Sequence, residues 1–486
     1  MSDRKVLAKG MFWSAVEKYS SIFVSTIISM VLARILTPAE FGTVAIATVL
    51  IHFLTMVSNM GIAPAIIQRR DLTEVDYNNI FTFSCIVGIA LGLLFFFGSW
   101  GIAKIYDVSD LVPICQILSI QVFFSAANMV PNALMTKNLR FKEIAKRTLM
   151  LQLITGAISI VAALLGAGVF SLLISPVITA IGIFIYNRHF YKVEVSRQFS
   201  LNPIKKIFSY SSYQFLFEFI AYFSANIDSL LIGKYISAAD LGYYQKSYQL
   251  VQRPLNSVSG VVAPVLQPVL SKYQDDKLEL SRRYNKVLRL VATIAFPLGV
   301  LAFFCGAEII RIFFGNQWDL AVPCFKIISL AMPFQLILNC TGGFFMASND
   351  TKSLFLIGLI NAIISIVFIS IAVLFYKTIE SVAIAWGVSR FLFFIITYAF
   401  MYLKVLKLPF YLVIKEFTLP IGVALLLAAI LYAEGLIFPN QIIINLVVKG
   451  FTAAALVAVT IQTSKQLDII GVVKNRLSKK KNPDIR

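Results

Sequence analysis

Charge is what this sequence has least of. Only 14% of its 486 residues are Asp, Glu, Lys or Arg, while 58% are hydrophobic and the mean hydropathy is +0.82. A soluble domain carries about 25% charged and roughly 45–50% apolar residues, so a water-soluble globular fold is excluded. Histidine is rarer still: His52 and His189 stand alone, too few for a histidine-based metal site. The five cysteines (Cys85, Cys115, Cys305, Cys324, Cys340) have no metal-ligand spacing and fall in or near apolar runs. They read as small buried hydrophobes. Enzyme signatures are missing as well. The chain holds no P-loop, no Gly-x-Ser-x-Gly, no His-Glu-x-x-His and no Gly-x-Gly-x-x-Gly opening a helix. These absences predict a protein that is not an enzyme, with no catalytic residues, cofactor or metal. Any work it does runs on an ion gradient, the membrane potential or a substrate's own gradient.

What is present is a succession of apolar runs separated by Gly, Pro and charge. They predict an all-α integral membrane protein of about fourteen transmembrane helices. Six lie near 11–33, 43–66, 79–101, 111–135, 144–166 and 168–190. Six more lie near 208–233, 241–265, 286–306, 320–346, 353–376 and 379–403, and two near 412–433 and 442–463. At roughly 20 residues per span, this leaves short loops and no room for a separate soluble domain. The first run reads as a retained helix, because Glu17 and Lys18 interrupt it and no small-residue cleavage site follows. The run near 241–265 is the most polar, with Tyr243, Gln245, Lys246, Gln249, Gln252 and Arg253.

The net charge of +19 is distributed by topology. Thirty-two of the 43 Lys and Arg residues fall in the loops of one side, including 191–207, 270–285 and the tail after 464. The positive-inside rule places both termini in the cytoplasm. The same asymmetry accounts for most of the net charge without a nucleic-acid partner.

The chain also repeats itself. Residues 29–68 align without gaps on 229–268, with Ser29/Ser229, Ala39/Ala239, Gly42/Gly242, Leu50/Leu250, Ala63/Ala263 and Pro64/Pro264 identical. Further on the offset becomes 210, as in Pro113/Pro323 and Phe124/Phe334. Two parallel six-helix repeats are the plan of a two-lobed alternating-access transporter. The expected organisation is an N-terminal lobe (1–190), a cytoplasmic linker (191–207), a C-terminal lobe (208–403), two additional helices (404–463) and a basic cytoplasmic tail (464–486). Thr37-Pro-Ala-Glu40 and Ser237-Ala-Ala-Asp240 read as capped helix starts: a hydroxyl N-cap followed by an acid three residues on.

Charges inside the membrane cost roughly 2.5–3.5 kcal/mol at a helix centre and usually face protein or a water-filled cavity. Lys18 lines up with Ser14, Ser21, Ser25 and Ser29 on one face of helix 1; Lys246, Gln249, Arg253, Asn256 and Gly260 form a second stripe on helix 8. Lys18, Arg253, Lys246, Arg34 and Lys234 are therefore the candidate substrate-binding cations. Glu218, Asp228 and Glu17 are the candidate ion-coupling carboxylates. The competing reading has Arg34, Lys234 and Lys449 snorkelling to the interface, and Glu17, Lys18, Glu218 and Arg253 forming interhelical ion pairs that only hold helices together. Lys326 and Arg390 divide evenly between anchoring and lining a cavity.

Gly10-Met-Phe-Trp-Ser14, Leu32-Ala-Arg-Ile-Leu-Thr-Pro-Ala-Glu-Phe-Gly42 and Gly61-Ile-Ala-Pro-Ala-Ile-Ile-Gln-Arg69 carry a family resemblance. Over essentially its whole length the chain resembles the polysaccharide-repeat-unit flippases (Wzx-type) of the MOP transporter superfamily, closest to the branch with the colanic-acid exporters. The resemblance implies two six-helix lobes forming a V, with two extra C-terminal helices and a cationic central cavity. The implied function is to turn an undecaprenyl-diphosphate oligosaccharide across the bacterial inner membrane for O-antigen, capsule or exopolysaccharide assembly. The implied partners are membrane lipids, the lipid-diphosphate-linked oligosaccharide, H⁺ or Na⁺ and a polysaccharide polymerase complex. Two rivals stand beside it. A cation-coupled multidrug antiporter of the same superfamily calls for an acidic lumen, and a non-transporting scaffold of a glycan-synthesis complex needs no lumenal charge.

Overall fold

The computed structural model describes residues 3–59, 61–196, 198–437, 442–464 and 466, and the side chains of these except 3–8, 206–218, 263 and 437. Every regular element among them is helical. In order they are α1 (Asp3–Ile35), α2 (Pro38–Asn59), α3 (Ile62–Gln68), α4 (Glu74–Tyr106), α5 (Leu111–Ala127) and α6 (Met129–Lys137). Then come α7 (Phe141–Leu164), α8 (Ser171–Phe190), α9 (Asn202–Tyr235), α10 (Ala238–Leu270), α11 (Lys277–Phe304) and α12 (Gly306–Phe314). The rest are α13 (Ala321–Leu338), α14 (Thr341–Ala347), α15 (Thr351–Ile371), α16 (Ile379–Phe400), α17 (Tyr411–Ile437) and α18 (Ile442–Thr463). The chain divides into two compact units, one reaching Gly242 and one running from Tyr243. The first turn of α10 therefore belongs with the first unit.

Among the described residues eleven helical stretches are long and apolar enough to cross a membrane, or twelve if α5 and α6, bent by 42°, form one span. The chain is a multi-pass membrane protein. The expected count of fourteen is reached only if α9 and α10, of 34 and 33 residues, cross as well. Neither is among the apolar spans. In α10 the reason is visible: the polar run from Tyr243 to Arg253, and Pro254, Pro264 and Pro268 inside the helix.

The repeat reappears in the helix boundaries. α1 and α9 end at Ile35 and Tyr235, and α2 and α10 begin at Pro38 and Ala238, each 200 residues apart. α5 and α13 begin at Leu111 and Ala321, and α7 and α15 at Phe141 and Thr351, each 210 apart. The turns before α7 and α15 both place one residue in the left-handed region, Leu139 and Asn349, at φ 56°. Both capped starts form as expected. Glu40 accepts from the Thr37 amide at 2.7 Å while Thr37 Oγ1 accepts from the Glu40 amide at 3.4 Å. Asp240 accepts from Ser237 Oγ at 2.6 Å and its amide donates back at 3.0 Å. These bonds satisfy the first amides of α2 and α10, which have no partner inside the helix.

Within each unit, polar side chains tie together helices that lipid alone would not drive together. In the first unit Gln152 of α7 donates to the Ser21 carbonyl of α1 at 3.0 Å, and Thr155 meets Ser175 of α8 at 3.1 Å. In the second, the hydroxyls of Tyr284 (α11) and Tyr398 (α16) meet at 2.7 Å, and Arg289 (α11) pairs with Glu416 (α17) at 2.6 Å. Lys449 of α18 pairs with Glu308 of α12 at 3.0 Å, their side chains 6% and 15% exposed. The expected snorkelling of Lys449 gives way to a buried ion pair. Exposed Leu94, Phe97 and Trp100, and Leu425, Leu426 and Phe451, supply outward apolar surface suited to lipid.

The segment after α8 is not a loose loop. The amides of Glu194, Ser196 and Ser200 donate to Asn78 Oδ1, Thr82 Oγ1 and Asn79 Oδ1 of α4 at 2.9, 2.8 and 2.8 Å. Three side chains of α4 thus replace the water that an irregular backbone otherwise needs.

Candidate functional site

In the first unit, α1 lies along α7. That contact separates two adjacent residues of α1. Glu17 is half-buried and accepts from Thr148 Oγ1 of α7 at 3.1 Å. Lys18, about 100° further around the helix, is exposed and makes no hydrogen bond or ion pair among the described residues. The serines of its stripe are all half-buried, and Ser25 returns its proton to the Ile22 carbonyl at 3.0 Å. The stripe is thus a half-buried polar face of α1.

Arg34 is exposed in the last turn of α1. Its repeat equivalent Lys234 closes α9 and pairs with Asp107 at 3.2 Å. Asp107 caps α4 in the left-handed conformation, with its side chain 83% exposed. A pair so exposed contributes between zero and about 1 kcal/mol. Asp228, two turns before the end of α9, is buried, and its carboxylate accepts from the Ser229 amide at 2.7 Å and the Ser229 hydroxyl at 3.2 Å. Glu218 is on α9 too, but its side chain lies outside the described residues. α9 is held against α2 by Tyr222, whose hydroxyl donates to the Val49 carbonyl, and by Phe53 against Phe219 and Phe223 at centroid distances of 5.7 and 5.1 Å.

In the second unit, Lys246 and Arg253 sit two turns apart on α10, which places their Cα atoms roughly 10 Å apart along the axis. Lys246 is buried, with Nζ 5.3 Å from the centre of the Phe314 ring of α12. An aromatic face gives a desolvated ammonium part of what water would. Arg253 is half-buried, and Gln249, Asn256 and Gly260 on the same stripe are exposed. Ser247 fixes this part of α10 by donating to the Ala321 carbonyl of α13 at 3.0 Å. The stripe therefore combines a buried cation, a half-buried one and exposed polar positions.

Sequence reasoning missed one charge. Arg147, near the start of α7, reads as a loop cation, yet it is buried and donates to Asn187 of α8 and to Asn132 of α6 at 3.3 Å. Asn187 in turn donates to Asn128, at the α5–α6 bend, at 2.8 Å. In the second unit Arg390 of α16 is buried likewise. It donates to Ser365 and to Gln335 at 3.3 Å, and Gln335 donates to Asn339, at the α13–α14 junction, at 2.8 Å. Each unit thus buries an arginine in an amide network beside a helix junction. Arg390 thus has the fixed partners that the anchoring reading calls for. The signal available in the sequence was the set of amides within apolar runs.

The family described as "Polysaccharide biosynthesis protein" matches residues 31–323. Relatives include the teichuronic acid biosynthesis protein TuaB of Bacillus subtilis, 23% identical over 348 residues (71% of this chain and 72% of that one). The lipopolysaccharide biosynthesis protein WzxC of Escherichia coli K12 is 24% identical over 351 residues (71% of each). Among solved structures, the lipid II flippase MurJ in an inward closed conformation is similar with a TM-score of 0.74 at 15% identity, covering 93% of this chain and 98% of that one. An inward-facing multidrug resistance MATE transporter of the MOP superfamily gives 0.59 at 16%, covering 80% and 95%. The fold is that of MurJ and MATE transporters, and with more than half of its length matched by the family, the chain belongs to the polysaccharide biosynthesis protein family.

Proposed function

We propose that this protein is a flippase that carries an undecaprenyl-diphosphate-linked oligosaccharide across the bacterial inner membrane for surface polysaccharide assembly. The observation that supports this reading best is the occurrence, in a polysaccharide biosynthesis family member, of cations within helices: exposed Lys18 on α1, and Lys246 and Arg253 on α10. A diphosphate cannot shed its water in a low-dielectric medium unless fixed cations replace it. Arginine binds phosphate oxygens in pairs, while lysine contributes a point charge. Arg34 and Lys234 extend the cationic set towards the helix ends. Transport proceeds by alternating access of two lobes with both termini in the cytoplasm, and a polysaccharide polymerase complex receives the product.

The coupling ion, H⁺ or Na⁺, is taken by a carboxylate. Asp228 has the buried setting such a role needs, Glu218 shares its helix, and Glu17 is already engaged by Thr148. The multidrug-antiporter rival needs a lumen dominated by acid, and the cationic stripes oppose it.

Deleting the gene in its host and identifying the lipid-linked oligosaccharide that accumulates on the cytoplasmic leaflet tests the proposal. Restoration of export by the wild-type gene, but not by a Lys18→Gln/Arg253→Gln variant, is the expected result. Unchanged glycan export without the gene overturns it.

A further inference from the structure

A cavity of about 650 Å³ opens in the first unit where the start of α4, the end of α6 and the end of α8 meet. These three helix ends share the side of the basic loops. None of the residues discussed for transport lines it. We propose that it is a binding site for the phosphate headgroup of an anionic phospholipid.

Its lining is cationic and aromatic. Lys137, His189 and Lys192 supply positive or protonatable groups, against the single acid Glu74. Lys137 is fixed in place: its ammonium donates to the Arg69 carbonyl at 2.5 Å and to the Tyr77 hydroxyl at 2.9 Å, which leaves one of its three N–H donors. Tyr77 accepts that bond and so keeps its own proton to donate. Lys192 and His189 are exposed. Arg140 stands just outside, its guanidinium 5.1 Å from the Phe190 ring and 5.9 Å from the Tyr191 ring. Stacking of this kind holds an arginine still while leaving its fork open to oxygen ligands.

Such a site is more specific than a surface patch. Lys137 is preorganised by two hydrogen bonds, Lys192 rides on a segment tied to α4, and the volume lies in the range of small-molecule sites. Leu134, Phe190 and Val193 add apolar side chains to the same lining, so an occupant with a charged head and an apolar body matches both parts. Basic pockets between helix ends on the cytoplasmic side recognise anionic headgroups in this way. A free phosphate ester shares the charged half of this chemistry but has nothing to place on the apolar half.

The test is native mass spectrometry of the full chain in detergent micelles, with tetraoleoyl cardiolipin, dioleoyl phosphatidylglycerol and dioleoyl phosphatidylcholine as probes. Separate arms use glycerol 3-phosphate and inorganic phosphate. The expected result is retention of the two anionic lipids over phosphatidylcholine, with apparent affinity falling at least ten-fold in Lys192→Glu. Lys137→Gln should lose a similar factor, and both variants should keep the wild-type elution volume. If Lys137→Gln elutes as aggregate, Lys192→Glu alone decides. Glycerol 3-phosphate binding as tightly as the lipids overturns the lipid assignment in favour of a soluble phosphate ester. Absence of selectivity for either anion class, or full retention in Lys192→Glu, overturns the site altogether.

Discussion

Gly42 and Gly242, 200 positions apart, meet at a reciprocal backbone crossing. A Cβ on Gly42 would stand 1.6 Å from the Ala238 carbonyl oxygen, and a Cβ on Gly242 2.0 Å from that of Pro38. Each glycine meets the helix start that holds the other, so the contact has the self-complementary form of an isologous dimer interface, built within one chain. Small residues permit such backbone contact between helices in lipid. Neither carbonyl can retreat cheaply, because both belong to capped first turns.

Gly42→Ala and Gly242→Ala should therefore each destabilise strongly. Overpacking costs typically 1–3 kcal/mol and more where backbone must move. Fluorescence-detected melting in detergent should show a clear loss of Tm for both, and Gly42→Val should leave little monodisperse protein. Gly422→Ala, where a Cβ meets nothing within 4 Å, is the control and should melt with the wild type.

The buried pair Lys449–Glu308 makes a second stability prediction. Removing one partner strands a charge, at a cost of roughly 3–5 kcal/mol, whereas replacing both with apolar residues of similar volume is close to neutral. Lys449→Met alone should melt well below the wild type, and Lys449→Met/Glu308→Leu should recover most of the difference. A loss in the double variant equal to the sum of the losses in Lys449→Met and Glu308→Leu would mean that the pair contributes no coupling.

For export, Arg253→Ala and Lys18→Ala should each lower surface glycan at normal protein levels. Arg253→Lys should rescue in part, because it restores charge without the planar fork. Full export by Lys18→Gln/Arg253→Gln would make these charges structural.

Ion coupling is tested by Glu218→Gln and Asp228→Asn. At least one should abolish gradient-dependent transport while leaving the elution profile of the purified protein unchanged. Both retaining full activity across a range of pH would exclude the pair.

Topology has its own measurement. In a cysteine-free background, a cysteine at Lys277, exposed at the first turn of α11, should stay unlabelled by a membrane-impermeant maleimide added from the periplasm. Labelling there would reverse the orientation. Position 197, in the same set of basic loops, lies outside the described residues and should behave alike.

The sequence was most informative where one residue and its near neighbours settle the outcome. Thr37-Pro-Ala-Glu40 announces its cap because donor and acceptor lie three residues apart, and the 200-residue offset predicts matching helix ends because like sequences start and stop helices alike. Where the partner is distant, the pattern is silent. Arg147 is near the start of its helix and reads as a loop cation, yet Asn132 and Asn187, 15 and 40 positions away, close over it. Lys449 sits close enough to a helix end to snorkel, but Glu308 lies 141 positions upstream and reaches it first. Hydropathy likewise places the polar run of α10 without saying that Phe314 covers Lys246 while Gln249 stays exposed.

The segment between α8 and α9 has a mechanical meaning. Its backbone is fastened to α4 as far as Ser200, and α9 begins at Asn202, where the amide donates to Ser200 Oγ at 3.3 Å. Between the last fastening and the first helical residue there is no slack. A rope would let α9 tilt independently of α4, but this connection behaves as a clamp, so tilt at the start of α9 must be passed to α4 or taken up by bending within α9 itself.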